Sequence, residues 1–363
     1  MSMSVLAGRI TDTLTRVRDR LAGRGDTVTG IVLWLLIAVL IVSSAVGSTQ
    51  LFVVGVIVGS IFALGALGLT LIYGVLKFGN FAHGDTMMLG AYIAFFFLTG
   101  QVARTAREDT ELPWALDSLP GAVDGIGDLT FGYGLIIATL LAAVVIALLS
   151  VALDRLIYRP LRRRRSGIVI FAIASLGVAI VVRSLMFIIW GPDPRVYVSG
   201  IHRAQSYPFG IVLKTDQIFI FAVAVALAAL IYLLLFHTKL GKAMRAIADN
   251  PDLARVSGID TEQIIVWTWV VGGALVAVAG VLLAVQSQVN PLLGFVILLP
   301  LFASTILGGI GNPLGALAGA MVVGIAQEVS IEFFEPAYKP GVAFVILILI
   351  LLVRPRGLLG AKV

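Results

Sequence analysis

The stretch LIYGVLKFGNFAHGDTMMLGAYIAFFF (71–97) joins two membrane-grade apolar runs through Lys77, Asn80, His83 and Asp85. So apolar a chain must account for an amide, an imidazole and a carboxylate set within two helical turns of one another. Two readings are open. In the first, Asp85 or Thr86 caps a helix that starts near the membrane interface, where a carboxylate is favoured by about 0.3–1 kcal/mol. In the second, Gly79, Gly84 and Gly90 allow a break and close packing. A discontinuous segment buried in protein would then turn helix-terminal N–H groups toward a conducting path. On the second reading Asn80, His83, Gly84 and Asp85 form a gate or substrate pathway, with Gln286 and Gln288 of AVQSQVNPLLG (284–294) as a second polar cluster. Those glutamines, with Asn290, also suit a simple interfacial end to a span, stopped by Pro291.

Working outward, the whole chain has the same character. Hydrophobic residues make up 59% and charged residues 13%, and the mean hydropathy is +1.04, which excludes an ordinary soluble domain. At roughly 20 residues per span, and with no long polar segment, 363 residues describe an all-α polytopic membrane protein. Apolar runs at 31–47, 51–73, 86–100, 132–154, 167–190, 216–236, 264–285, 293–309, 314–331 and 341–353 predict about ten spans, within a range of eight to eleven. Residues 1–30 carry apolar positions at helical spacing between arginines and predict an amphipathic helix on the membrane surface. The single membrane domain is then 31–353, with a short tail at 354–363.

Most of the 26 lysines and arginines fall on one side when the N-terminus is placed inside, so both termini are expected in the cytoplasm. That counting puts the 77–85 turn nearer the cytoplasm than the midplane. The external loops are 101–130, acidic and Pro/Gly-punctuated, and 191–215, which reads as a short β-ribbon or a docking loop. Arg183 and Glu328 lie inside apolar runs and must snorkel, pair or face water. Glycines at 55, 59, 65 and 68, and again through 307–324, predict tight helix-packing seams. A shared Gly-Asn start, at 79 and at 311, hints at internal duplication.

The net charge of +6 sits in short loops between spans, so anionic lipid, not nucleic acid, is the expected partner. Cysteine is absent, which excludes disulfides and thiolate chemistry, and His83, His202 and His237 lack metal-ligand spacing. No G-x-x-x-x-G-K-[ST] phosphate loop is present, so the chain is not expected to hydrolyse ATP or act as an enzyme.

The longest basic-side connection, HTKLGKAMRAIADNPDLARVSGIDTEQ (237–263), predicts a helix over 241–248 and a break at Asp249-Asn250-Pro251. A second short helix should follow to Ser257, stopped by Gly258. Taken with GLTLIYGVLKFGNFAHGDTMMLGAYIA (68–94), LLPLFASTILGGIGNPLGALAGA (298–320) and RPRGLLG (354–360), this chain resembles the permeases of branched-chain amino acid ATP-binding-cassette importers, in order and from about residue 50 onward. The resemblance implies a type II importer-like bundle with broken helices in the bacterial inner membrane. It also implies a sister permease, two ATPase subunits that hold ATP and Mg, and an external solute-binding protein, with no cofactor on this chain. By the same resemblance, 237–263 is the coupling loop that docks on an ATPase, through Gly241, Lys242, Met244, Arg245, Ala248, Asp249, Asn250, Pro251 and Gly258. Gly241 would be the small residue that admits the loop to a cleft. Related systems carry urea or short amides, and a self-sufficient carrier or channel is the alternative class.

Overall fold

The computed structural model describes residues 49–104, 108–111, 115–198, 204–354 and 357–359. The expected surface helix at 1–30 and the first span at 31–47 lie outside the described residues, as does most of the 354–363 tail.

The remaining nine predicted spans each coincide with a helix. These are α1 (Thr49–Leu76), α2 (His83–Thr99), α3 (Tyr133–Leu153), α5 (Ile168–Trp190), α6 (Thr215–His237), α9 (Thr261–Gln286), α10 (Leu293–Gly308), α11 (Pro313–Val329) and α12 (Lys339–Val353). Helix α3 runs on through a π-helical turn, Asp154–Tyr158, into the short α4 (Arg159–Arg163). The segment at 239–256 is a helical hairpin, α7 (Lys239–Asp249) and α8 (Pro251–Val256).

Among the described residues six helices are long and apolar enough to cross a bilayer. Helices α2, α10 and α12, at 17, 16 and 15 residues, are shorter than the roughly 20 that a full span needs. Helices α2 and α10 start inside the bundle, so not every predicted run is a full span.

Helices α1, α9 and α11 are mostly buried within the chain and form its centre, whereas α3, α5 and α6 lie at the periphery with apolar faces outward. The predicted small-residue seam is where α1 meets α11: a Cβ on Gly55 would lie 2.7 Å from the Ile325 Cα, and one on Gly59 3.1 Å from the Met321 Cα. Such backbone proximity is how apolar helices gain dispersion energy in lipid, where no hydrophobic force drives them together.

The two ends of the bundle differ. One carries the α7–α8 hairpin. The other carries two antiparallel ribbons, β1 (Gln101–Arg104) with β2 (Glu108–Glu111) and β3 (Gln205–Tyr207) with β4 (Ile211–Leu213). The second ribbon is one of the two forms read for 191–215, whereas the first departs from the loop and all-α expectation. The ribbon end is tied down locally. Thr130 donates to Asp216 from its amide (2.8 Å) and its hydroxyl (2.6 Å), and Gln50 exchanges two 2.8 Å bonds with Val212.

Candidate functional site

The chain turns at Lys77, a non-glycine residue with φ 58°, immediately after α1. Its ammonium donates to the Ala248 carbonyl of the hairpin. The next five residues are not helical, yet Phe78, Asn80 and Ala82 are buried. They carry the chain back into the bundle, where His83 opens α2 with its Nε2 2.8 Å from the Gly65 carbonyl. Gly65 precedes the end of α1 at Leu76 by about 11 residues, or roughly 17 Å. The chain thus turns on the hairpin side, as counting of spans placed it, but the return segment carries the start of α2 back toward mid-membrane. Counting takes each helix to start at its turn, and an irregular return segment separates the two.

Neither Asp85 nor Thr86 caps α2. Asn80 does so from outside the helix: its Oδ1 accepts from the Ala82 amide (3.1 Å) and its carbonyl from the His83 amide (3.2 Å). The Phe81 amide donates to Ser175 Oγ of α5 at 3.0 Å, and the Thr86 hydroxyl donates to the Ala82 carbonyl at 2.8 Å. These bonds satisfy backbone groups that lipid could not.

A second break mirrors the first. After α9 the chain returns from the ribbon end, and Asn290 Oδ1 accepts from the Leu292 amide (2.8 Å) while its carbonyl accepts from Leu293 (3.0 Å), which opens α10. The two helix starts then meet. A Cβ built on Gly84 would collide with the Gly294 carbonyl, and one on Gly294 would lie 2.6 Å from both the Asp85 Cα and the Gly84 oxygen. Helix α2 runs from this crossing to the ribbon end and α10 runs to the other, so two half-helices oppose their N-termini. The internal correspondence is Asn80–Gly84 with Asn290–Gly294. The Gly311-Asn312 pair is a different motif, in which Asn312 is itself the N-cap and accepts from Gly315 at 3.2 Å.

Asp85, fully buried in the first turn of α2, forms a bidentate pair with Arg183 of α5: Nε donates to Oδ1 at 2.9 Å and Nη2 to Oδ2 at 2.8 Å. The guanidinium carbon stands 4.8 Å from the centre of the Phe295 ring on α10. Glu328, the other ionisable group inside an apolar run, pairs with Lys339 at 2.7 Å. Gln286 ends α9 half-buried and Gln288 is exposed beyond it; among the described residues neither hydrogen-bonds to the break. Beyond α5, Tyr197 is buried and its hydroxyl donates to the Ala91 carbonyl of α2 at 3.0 Å. Burial, and then the nearby Tyr92, push its phenol well above the usual range, so it stays a donor.

Behind Asn80 lies a small enclosed cavity lined by His83, Thr86, Ser150, Tyr158 and Trp269. The Tyr158 hydroxyl points at Asn80 Oδ1 (3.5 Å), and its ring stacks on Trp269 with centroids 5.2 Å apart. Trp269 donates to buried Asp154 (2.8 Å), Asp154 accepts twice from Arg162 (2.6 and 3.0 Å), and Arg159 pairs with Glu262 at 2.9 Å. Glu262 is in the first turn of α9, just after the hairpin. Sequence alone did not reveal this network.

In the hairpin, Asn250 Oδ1 accepts from the Asp252 (3.1 Å) and Leu253 (2.9 Å) amides, so Asn250, not Asp249, supplies the cap before Pro251. Gly258 follows with φ 86°, a conformation that suits glycine. Gly241 and Met244 are buried on the inward face, where Gly241 lies against the Leu234 and Leu235 backbone at the corner between α6 and α7. The glycine is demanded by the chain's own fold. The face turned away from the bundle presents Lys242, Arg245, Asp249 and Pro251, with two bare apolar side chains, Leu253 and Val256, 64% and 86% exposed; Ala248 is half-buried.

The family described as branched-chain amino acid transport system / permease component matches residues 51–351. The high-affinity branched-chain amino acid transport system permease protein BraD of Pseudomonas aeruginosa is 33% identical, with 86% of this chain and 95% of BraD aligned. LivH of Escherichia coli, also a high-affinity branched-chain amino acid permease protein, is 31% identical over 84% of this chain and 93% of its own length. The probable branched-chain amino acid transport permease protein LivM of Methanocaldococcus jannaschii is 26% identical over 64% of this chain and 70% of its own length.

Proposed function

We propose, from the premise that this chain belongs to the branched-chain amino acid transport system permease family, that it is one permease of an ATP-driven importer for branched-chain or similar neutral amino acids. It is a multi-pass membrane protein, and its similarity to both LivH-type and LivM-type permeases supports pairing with a sister permease. Two ATPase subunits would dock at the hairpin end, on the cytoplasmic side, and an external binding protein would deliver substrate at the ribbon end. ATP and Mg belong to the ATPases in this reading, and both termini are cytoplasmic. The names of the relatives favour amino acids over urea or short amides.

The observation that carries the reading is the hairpin. It exposes Leu253 and Val256 on a polar end of the molecule, and through Lys77 it is bonded to the segment that breaks α1 from α2. Exposed apolar side chains on so short a helix are costly in water unless a partner covers them. Purified complexes reconstituted in liposomes test this. Wild type should take up leucine on ATP, independently of any proton gradient, and Val256→Asp should lose ATPase subunits or uptake by at least tenfold. Uptake driven by a proton gradient without ATP, or a Val256→Asp complex with normal retention and uptake, would sink the proposal.

A further inference from the structure

We propose that Arg183 binds the carboxylate of the transported amino acid on the open face between α5 and α10, with Asp85 as its positioning residue. The inference rests on the permease reading above and names what that permease holds in mid-membrane.

Arg183 spends only Nε and Nη2 on Asp85, and Nη1 donates to nothing among the described residues. The carboxylate is fully buried while the arginine side chain is 21% exposed, so the free edge of the guanidinium points out of the chain. Along α5 the other outward residues include Ile180, Val181, Leu185 and Ile188. Hydrocarbon accepts no hydrogen bond, and a cationic edge left against it is strongly disfavoured. In the assembled transporter this face therefore meets water or protein, not lipid.

The surroundings match one class of ligand. Phe295, 60% exposed, lies beneath the guanidinium, and Phe81 and Phe302 stand ring to ring at 5.2 Å along the same side of α10. A guanidinium N–H edge is shaped for a carboxylate oxygen, and a wall of phenylalanines suits an aliphatic side chain. Asp85 is too buried to touch a substrate ammonium. It fixes the plane of the guanidinium and cancels its charge, which suits a zwitterion better than an anion. A purely structural tether between α5 and α2 would need no free edge, and a buried apolar pair would serve it as well.

The test uses the full complex in proteoliposomes with leucine-loaded binding protein. Wild-type uptake reports on the permease reading by itself. Replacing the pair with apolar residues, Asp85→Leu with Arg183→Leu, should leave the purified complex assembled and lower leucine uptake at least tenfold; wild-type uptake by this variant overturns the inference. If the double variant does not assemble, Arg183→Lys keeps a cation beside Asp85 but removes the planar fork. An increase in KM of at least fivefold is then expected, and an unchanged KM overturns the inference. Because the chain has no cysteine, Phe295→Cys provides a unique thiol. A charged, membrane-impermeant thiosulfonate should label it in at least one nucleotide state, more slowly when leucine is present. A thiol that never reacts is closed to water in every state, and that result would end the proposal even if the wild type transports leucine.

Discussion

Alanine at position 294 tests the crossing of the two half-helices. The new Cβ would stand 2.6 Å from the Asp85 Cα and from the Gly84 carbonyl oxygen, against the roughly 3.5 Å at which carbon atoms pack comfortably. The shortfall is about 0.9 Å, and both neighbours are backbone, so no side chain can rotate aside. Helix α2 must shift away from α10, at a cost of about 1–3 kcal/mol for an overpacked site. The intrinsic helix preference of alanine over glycine, about 1 kcal/mol in a helix interior, offsets only part of this in a first turn. The shift also carries Asp85, whose bonds to Arg183 at 2.8 and 2.9 Å have little room to lengthen before they fail. Gly294→Ala should therefore lower the thermal midpoint of the purified chain and cut uptake severalfold. Gly177→Ala, with nothing within 4 Å of the new methyl, should match or exceed the wild-type midpoint. A Gly294→Ala protein as stable and as active as wild type would refute the close crossing.

Lys77→Met removes the one side-chain bond from the break segment to the Ala248 carbonyl; the loss is about 1 kcal/mol or less at an exposed site, so assembly and ATP hydrolysis should survive while leucine moved per ATP falls. An unchanged ratio would show that the hairpin acts on the membrane by another route. Reporter fusions at Val363 and within 239–256 should both report the cytoplasm, as the basic asymmetry requires; opposite sides for the two would overturn the orientation.

The elements that were legible in the sequence are those with local causes. Apolar runs mark helices wherever they start, and Asn250-Pro251 marks a helix start because its side chain and ring act within one turn. Asn80, His83 and Asp85 stood out because polar groups are expensive in such a setting. Their partners did not, since Arg183 is 98 residues from Asp85 and nothing periodic links the two. Depth in the membrane was also hidden. Counting spans fixes the side on which each loop emerges, but it does not show that the helix after the 77–82 return segment starts deep in the bundle. At the second break the sequence left an interfacial end and a pathway element both open, because Pro291 stops a helix equally well in either place. A signal did exist, in the repeated Asn followed four residues later by Gly at 80–84 and 290–294. It needs the observation that both asparagines accept from the amide two residues on.

The arrangement ties the hairpin to the break from both of its ends. At one end Lys77 grips the last turn of α7; at the other, Glu262 holds Arg159, and the adjacent Arg162 holds Asp154, which holds Trp269, against whose ring lies the Tyr158 that faces Asn80. The start of α2 is fixed by a few side-chain bonds, from Asn80, Ser175 and His83, and lacks a continuous backbone ladder behind it. Few backbone bonds therefore have to break there when the hairpin moves. Helix α5 grips the same segment twice, through Ser175 and Arg183, so any tilt of α2 is transmitted to the face on which the free guanidinium edge lies. In the proposed importer, a push on the hairpin would thus reach the carboxylate-binding edge through packed and hydrogen-bonded contacts. The glycine crossing of α2 and α10 would serve as the pivot, because there the two half-helices touch backbone to backbone.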